Sequence, residues 1–348
     1  YREESNTRLT RVSVLEASRG AILDKTGATL VDSKIQFSLE MYKSKVDTAT
    51  LNQSILNMIN VLEKYETSYV DSFPIKIEPF EFTISEQELL SWKKSNKLSE
   101  DITAEQAFYK FKSKYGIDTN NIQDARKIMA IRYEANQKGY SSTKAIRIAD
   151  NISREAVAEF SESSDKFVGI NIVVEPVRQY TSGSLASHIL GYAGKINSQE
   201  YEQRKNTYGS NDIIGKTGIE YVFEEYLKGK NGSIDYYMDA KSHNLKMYPS
   251  HYTYSQSGMN ITLTIDKRVQ DVLERELSNA YDTYHPDGIW ALAMNPKNGE
   301  ILGIASYPNF NPNDYQNEDK DIYNQNIPIW KTYEPGSTMK IFSYMCAV

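Results

Sequence analysis

The chain has 348 residues, more than one core usually organises, and its 40% hydrophobic and 25% charged residues are those of a folded protein, so two domains are expected and disorder is excluded. A net charge of -6 argues against nucleic acid as a partner, because its binders carry a basic footprint. Cys346 is the only cysteine, which rules out an intramolecular disulfide, a zinc framework or a redox pair; His188, His243, His251 and His285 lack ligand spacing, so no metal or other cofactor is expected.

From Arg11 to Tyr42 apolar residues alternate around the turn signal Asp24-Lys25-Thr26-Gly27, which predicts a small antiparallel sheet. Leu51, Ile55, Met58, Ile59 and Leu62 then recur at helical spacing. Between Ser85 and Ser164 lies a charged, helix-rich block with two capping-box signatures, Ser85 with Glu88 and Thr103 with Gln106; it reads as an inserted helical subdomain whose charges face solvent. Gly116 and Gly139 suit helix ends.

Ile170, Ile172 and Val174 mark a return to extended structure over Phe167 to Tyr180, followed by helices at Ser184 to Leu190 and Gly218 to Lys228. Past a boundary placed near Ser257 the pattern gives a strand at Asn260 to Ile265, a helix at Lys267 to Tyr281, and strands at Ile289 to Met294 and Glu300 to Ser306 around an Asn-Pro-Lys-Asn-Gly turn. Helices on antiparallel sheets, an α+β multidomain fold, are expected. No run approaches the ~18 apolar residues of a membrane span.

The chemistry sits near residue 340. In Tyr333-Glu334-Pro335-Gly336-Ser337-Thr338-Met339-Lys340 a serine and a lysine three apart open an apolar helix, where the amine can reach the hydroxyl. A serine hydroxyl is a weak nucleophile until a base takes its proton, and a lysine serves as that base only where burial or positive charge lowers its pKa. Ile341, Phe342, Met345 and Ala347 would supply apolar surroundings, with Cys346 a small buried residue among them. The Ser337 amide, in the first turn, is placed to donate to an oxyanion. Ser-x-x-Lys also occurs at Ser91, Ser141 and Ser163, but in the charged block, where the lysine would stay solvated and protonated.

Glu334 to Lys340 resembles the active-serine motif of the penicillin-binding proteins, in which Ser-x-x-Lys is joined by Ser-x-Asn and Lys-Thr-Gly. Further blocks are similar to the class B, monofunctional members: Arg19-Gly20-Ala21-Ile22-Leu23-Asp24 with Gly27; Arg178-Gln179-Tyr180 and His188 to Gly194; Gly215 to Glu220 and Tyr226 to Gly229; Thr264-Ile265-Asp266 with Gln270; Ala293 to Glu300; and Pro308-Asn309-Phe310-Asn311-Pro312-Asn313. They occur in the family's order. Lys216-Thr217-Gly218 spells the third catalytic motif but precedes the serine, and is read as a backbone requirement at a helix entry. Ser-x-Asn and the downstream Lys-Thr-Gly do not follow Ser337 in these residues, so the chain by itself is expected to be inactive.

The resemblance implies a non-catalytic pedestal over 1–256 with the helical insert at about 85–164, then the start of a transpeptidase domain over 257–348. It implies a peptidoglycan D,D-transpeptidase with Ser337 as nucleophile and Lys340 as base, acting on stem peptides ending in D-Ala-D-Ala and acylated by β-lactams. It further implies one N-terminal membrane anchor, extracytoplasmic domains, and a pedestal that meets other cell-wall assembly proteins. A non-catalytic scaffold is the alternative from a different class; a β-lactam sensor or β-lactamase is disfavoured because such proteins lack a long pedestal.

Overall fold

The computed structural model describes residues 10–141, 144–209, 212–238, 247–317, 326–332 and 334–347. His243 lies outside them. The chain forms two compact units from interleaved segments: Tyr1–Leu15, Ile35–Glu175 and Gly232–Tyr254 make one, and Glu16–Lys34, Pro176–Asn231 and Ser255–Val348 the other.

In the first unit the helix Thr48–Lys64 buries Leu51, Ile55, Met58, Ile59 and Leu62, the residues its periodicity marks, and Asp47 caps its start by accepting from the Thr50 amide. Both capping boxes form, at the heads of Glu86–Ser95 and Ala104–Lys114. The charged block shares its core with the rest of the unit. Trp92, Phe108, Phe111 and Tyr133 belong to the same buried cluster as the Thr48–Lys64 helix and the strand Ile146–Ala149. Phe73 meets the rings of Trp92, Phe111 and Tyr133 edge-on at 5.3 to 6.5 Å, and the Trp92 indole donates to the Tyr133 hydroxyl at 2.8 Å. Most charges of these helices face outward, Lys93 and Glu134 excepted, while Trp92, Phe108, Phe111 and Tyr133 reach the core. The strand Thr10–Leu15 also departs from expectation, pairing antiparallel with Gly232–Met238, which pairs in turn with Met247–Thr253.

In the second unit the Asp24 turn closes an antiparallel hairpin as predicted, with Ile22 opposite Val31 and Leu23 opposite Thr29. Ile261–Thr262 adds to it in parallel. The helix Lys267–Tyr284 packs against the hairpin of Ile289–Met294 and Ile301–Tyr307. A glycine lets the helix come close, since a Cβ on Gly303 would stand 2.8 Å from Leu273 Cδ1, and Tyr281 meets the ring of Tyr307 at 4.8 Å. The Gly218 to Lys228 region is two short helices, Gly218–Val222 and Glu224–Leu227, and Ser198–Arg204 is a helix that periodicity did not reveal. The α+β expectation stands. Among the described residues no helix is long and apolar enough to cross a membrane.

Candidate active site and the framework that carries it

Ser337 lies in a 3-10 turn, Gly336–Met339, that runs directly into the α-helix Lys340–Ala347. Residues i and i+3 eclipse in a 3-10 turn, so Ser337 and Lys340 project to one side, and the Lys340 amide donates to the Ser337 carbonyl. Gly336 takes φ +56°, a left-handed backbone that glycine adopts without steric cost. Thr338 bonds the Pro335 carbonyl through both its amide and its hydroxyl. Ser337 thus stands in the turn that opens the helix.

The expected apolar pocket is not built around it. Ser337 and Lys340 are exposed, Ile341, Phe342 and Met345 are 61 to 70% exposed, and Cys346 is an exposed free thiol and not a buried one. Apolar spacing marks a face that seeks a core, and among the described residues no element buries any side chain of this helix. The other motif blocks do converge, in a framework within the second unit.

Three side chains of this framework substitute for backbone pairing. Asp24, 1% exposed, accepts from the amides of Thr26 and Ala28 through Oδ1 and from the Lys267 amide through Oδ2 at 3.0 Å, so it caps the Lys267–Tyr284 helix from outside. Burial opposes its charge, but these donors and the Thr26 hydroxyl outweigh it and hold the carboxyl below the usual range. Its contribution to stability is accordingly present above the unfolded carboxylate pKa and lost as pH falls through the depressed folded value. Asp24→Ala should cost ~1–3 kcal/mol in urea unfolding at pH 7, a difference that shrinks at pH 3.

Gln270, fully buried, pairs its amide with Ile304, donating to the carbonyl and accepting from the N–H, both at 2.9 Å. Asn313 does the same for Tyr180, with both bonds at 2.9 Å. Beside it Phe310, 1% exposed, meets the rings of His188 and Tyr192, and Tyr315 stacks on Tyr192 at 4.5 Å. Asn313→Ala should raise hydrogen exchange at the Tyr180 amide and cost ~1–3 kcal/mol, while Asn317→Ala, at an exposed turn, should leave both unchanged.

The polar centre of the unit is a buried charge cluster. Arg19 Nη2 lies 2.7 Å from both Glu220 Oε2 and Glu224 Oε2, and Arg178 donates through Nε to Glu220 Oε1 at 2.6 Å and through Nη1 to the Gly20 carbonyl at 2.7 Å. The four side chains are at most 9% exposed. Glu224 also accepts from the Tyr208 hydroxyl and the Gly215 amide, and Tyr180 donates to Glu220 while accepting from the Ala193 amide. Burial works against the Arg19 charge, yet the two carboxylates hold its pKa above the ordinary value; burial, then Glu220, pushes Tyr180 well up. Two positive and two negative charges balance, so the cluster holds discontinuous segments together and offers no net charge for catalysis.

Lys216-Thr217-Gly218 falls outside any nucleophile geometry. Lys216 pairs with Glu200, and Gly218, at φ +58°, enters its helix so close to Ile189 that a Cβ would stand 2.4 Å from the carbonyl oxygen. Glu274 was not singled out by the sequence. It is a largely buried carboxylate accepting from the Ala186 amide at 2.6 Å, from Gln270 and from Asn309, and burial raises its pKa.

A motif-bearing unit centred on paired Arg and Glu residues, continued into a helix-on-hairpin layer and the turn that carries Ser337, defines a class of protein that known families identify. The Penicillin-binding Protein dimerisation domain matches residues 14–263 and the Penicillin binding protein transpeptidase domain matches residues 289–348, so the chain belongs to the penicillin-binding proteins, in their class B branch. It is 44% identical over 180 residues to stage V sporulation protein D of Bacillus subtilis, an overlap covering 52% of this chain and 25% of that protein. It is 31% identical over 223 residues to the peptidoglycan D,D-transpeptidase MrdA of Acinetobacter baumannii, covering 60% of this chain and 32% of the relative. The penicillin-binding protein PBP2 of Helicobacter pylori, solved in complex with MreC, shares the fold with a TM-score of 0.54 at 22% identity, over 97% of this chain and 53% of that one. The chain thus spans a quarter to a third of the length of these curated relatives, and the transpeptidase domain is present only in part.

Proposed function

We propose that the full-length protein is a peptidoglycan D,D-transpeptidase, with residues 1–256 as its pedestal and 257–348 as the start of its transpeptidase domain. The reading is carried by Ser337 and Lys340 on one side of a 3-10 turn inside the transpeptidase match. Ser337 Oγ attacks the carbonyl between the two terminal D-alanines of a stem peptide, and its proton passes to a neutral Lys340. The C–N bond breaks, the departing D-alanine amine takes that proton, and an acyl-ester remains on the serine. The amine of a second stem then attacks the ester, the C–O bond breaks, and the proton released returns to Ser337 Oγ as the cross-link forms. A β-lactam would open on the same hydroxyl and stay attached. Labelling of the full-length protein by a fluorescent penicillin, lost in Ser337→Ala, tests the reading; a full-length protein that takes up no label would end it.

In this reading a single N-terminal anchor tethers the protein to the membrane, with both domains outside it. Its partners are other cell-wall assembly proteins that meet the pedestal, a reading supported by the complex of the Helicobacter pylori protein with MreC. A scaffold role without catalysis is the second reading, favoured by a buried charge cluster that neutralises itself and ties discontinuous segments together. Retention of partners in a pull-down by Ser337→Ala full-length protein would be expected under both readings, and failure to retain any would count against the scaffold.

A further inference from the structure

The strand Ile170–Tyr180 lies at the edge of its sheet. It pairs with Thr29–Met41, and among the described residues no strand pairs with its other side. The Tyr42 amide donates to the Gly169 carbonyl at 2.7 Å and the Thr181 amide to the Leu30 carbonyl at 3.0 Å, one antiparallel register at both ends. Backbone groups alternate sides along a strand, so odd-numbered residues turn theirs inward while Ile170, Ile172 and Val174 turn theirs to the open edge. Pro176, which has no N–H, interrupts that edge, and the Tyr180 groups are taken by Asn313. The open stretch is therefore Ile170 to Glu175.

Natural edges are usually blunted by charge, bulge or cover, because an unpaired row of amides and carbonyls recruits further strands. Ile170-Asn171-Ile172-Val173-Val174 is uncharged and strongly β-forming, the composition that most needs such protection. Ile170 and Ile172 pack against the core of the first unit, but Val174, on the same face, is 55% exposed. Along the strand runs a groove of about 260 Å³, lined by Phe160 and Ser161 of the helix Arg154–Glu162, by Ser164 just past it, and by Phe167, Ile170 and Ile172. Phe160 and Phe167 meet edge-on at 4.9 Å. Acid is in excess on both sides: exposed Glu162 and Asp165 outnumber Lys166 by the helix, and on the other face of the strand Glu175 and Asp150 share Arg147.

We infer that this edge and groove take up an extended segment of a partner protein by strand addition, a segment with apolar residues at alternate positions and lysine or arginine between them. Backbone bonds to Ile170, Ile172 and Val174 hold it. Its apolar side chains enter the groove beside Phe160 and Phe167 and cover Val174, and its cations, on the opposite face, meet Glu175. The groove is too small to admit a folded element. A second copy of this chain is disfavoured as the occupant, since it would bring like charge to both faces. The inference deepens the partner-binding reading of the pedestal and rests on it.

The probe is a fluorescent peptide of alternating valine and lysine, its binding to the full-length protein followed by anisotropy. Saturable binding is expected, weakened ~10-fold or more by Val174→Pro, which removes an outward N–H and spares the ladder with Thr29–Met41, and by Ser164→Trp, which fills the groove. Methylating alternate backbone nitrogens of the peptide, or putting glutamate in place of lysine, should weaken it as much. Bound peptide should slow hydrogen exchange at Ile170, Ile172 and Val174 by ~10-fold or more and leave Val173, whose amide faces the sheet, unchanged. No saturable binding, or binding indifferent to backbone methylation, overturns the inference. So does protection of the same amides that grows with protein concentration in the absence of peptide, since a second copy then occupies the edge. Should one variant fail to fold, the other and the exchange pattern decide the matter. Partners retained in the pull-down above by a protein that binds no peptide would remove the edge site and leave the partner reading of the pedestal in place.

Discussion

Glu220→Ala is expected to cost ~3–5 kcal/mol and to lower the Tm by roughly 10 °C, because it leaves two guanidinium groups buried without their shared carboxylate. Glu220 is fully buried, and Arg19 and Arg178 are 9% and 5% exposed, so water cannot replace what is lost. Glu220→Gln keeps the shape and part of the hydrogen bonding but removes the charge, and should fall between wild type and alanine. Lys205→Ala removes an ion pair whose partners are 59% and 69% exposed, and should change stability by no more than ~0.5 kcal/mol. Urea unfolding followed by tyrosine fluorescence separates these cases. If Glu220→Ala and Lys205→Ala cost the same, the cluster does not hold the unit together.

Arg19, Arg178 and Glu220 are all legible in the sequence, each within a motif block, but their joint purpose is not. Arg19 meets a carboxylate 201 positions away and Arg178 one 42 positions away, and no local pattern encodes such pairings. Glu224 left a fainter signal: it sits four residues after Glu220, where two acids share a helical face and call for a cation. Glu274 left none, since an acid on a charged helix looks solvated until the amides of Ala186 and Asn309 are brought to it. Elements set by neighbours in sequence, such as the Asp24 hairpin, the Thr48–Lys64 helix and the two capping boxes, were readable because their hydrogen bonds close within a few residues. Burial was read less well. The charged block hid Trp92 and Phe111 in a core, while the serine helix looked like core and is exposed, because periodicity identifies a face without saying what covers it.

Ser337→Ala should abolish penicillin acylation of the full-length protein, a loss of at least ~10³-fold, since no other hydroxyl is presented on the same turn with a lysine three residues on. Lys340→Ala should slow acylation by ~10²–10⁴-fold, the range that a positioned base supplies. Lys340→Arg keeps the positive charge but cannot give up its proton, so it should be no better than alanine if the lysine is the base, and close to wild type if only its charge matters. Stopped-flow acylation across pH distinguishes the two: a base must be neutral to act, so the wild-type rate should climb with pH while the residual rate of Lys340→Arg stays flat. The 348-residue chain should take up no label at any pH. Both side chains are exposed and, among the described residues, nothing covers the apolar face of their helix, so the pair that the sequence places three residues apart lacks the water-excluding surroundings in which such chemistry runs.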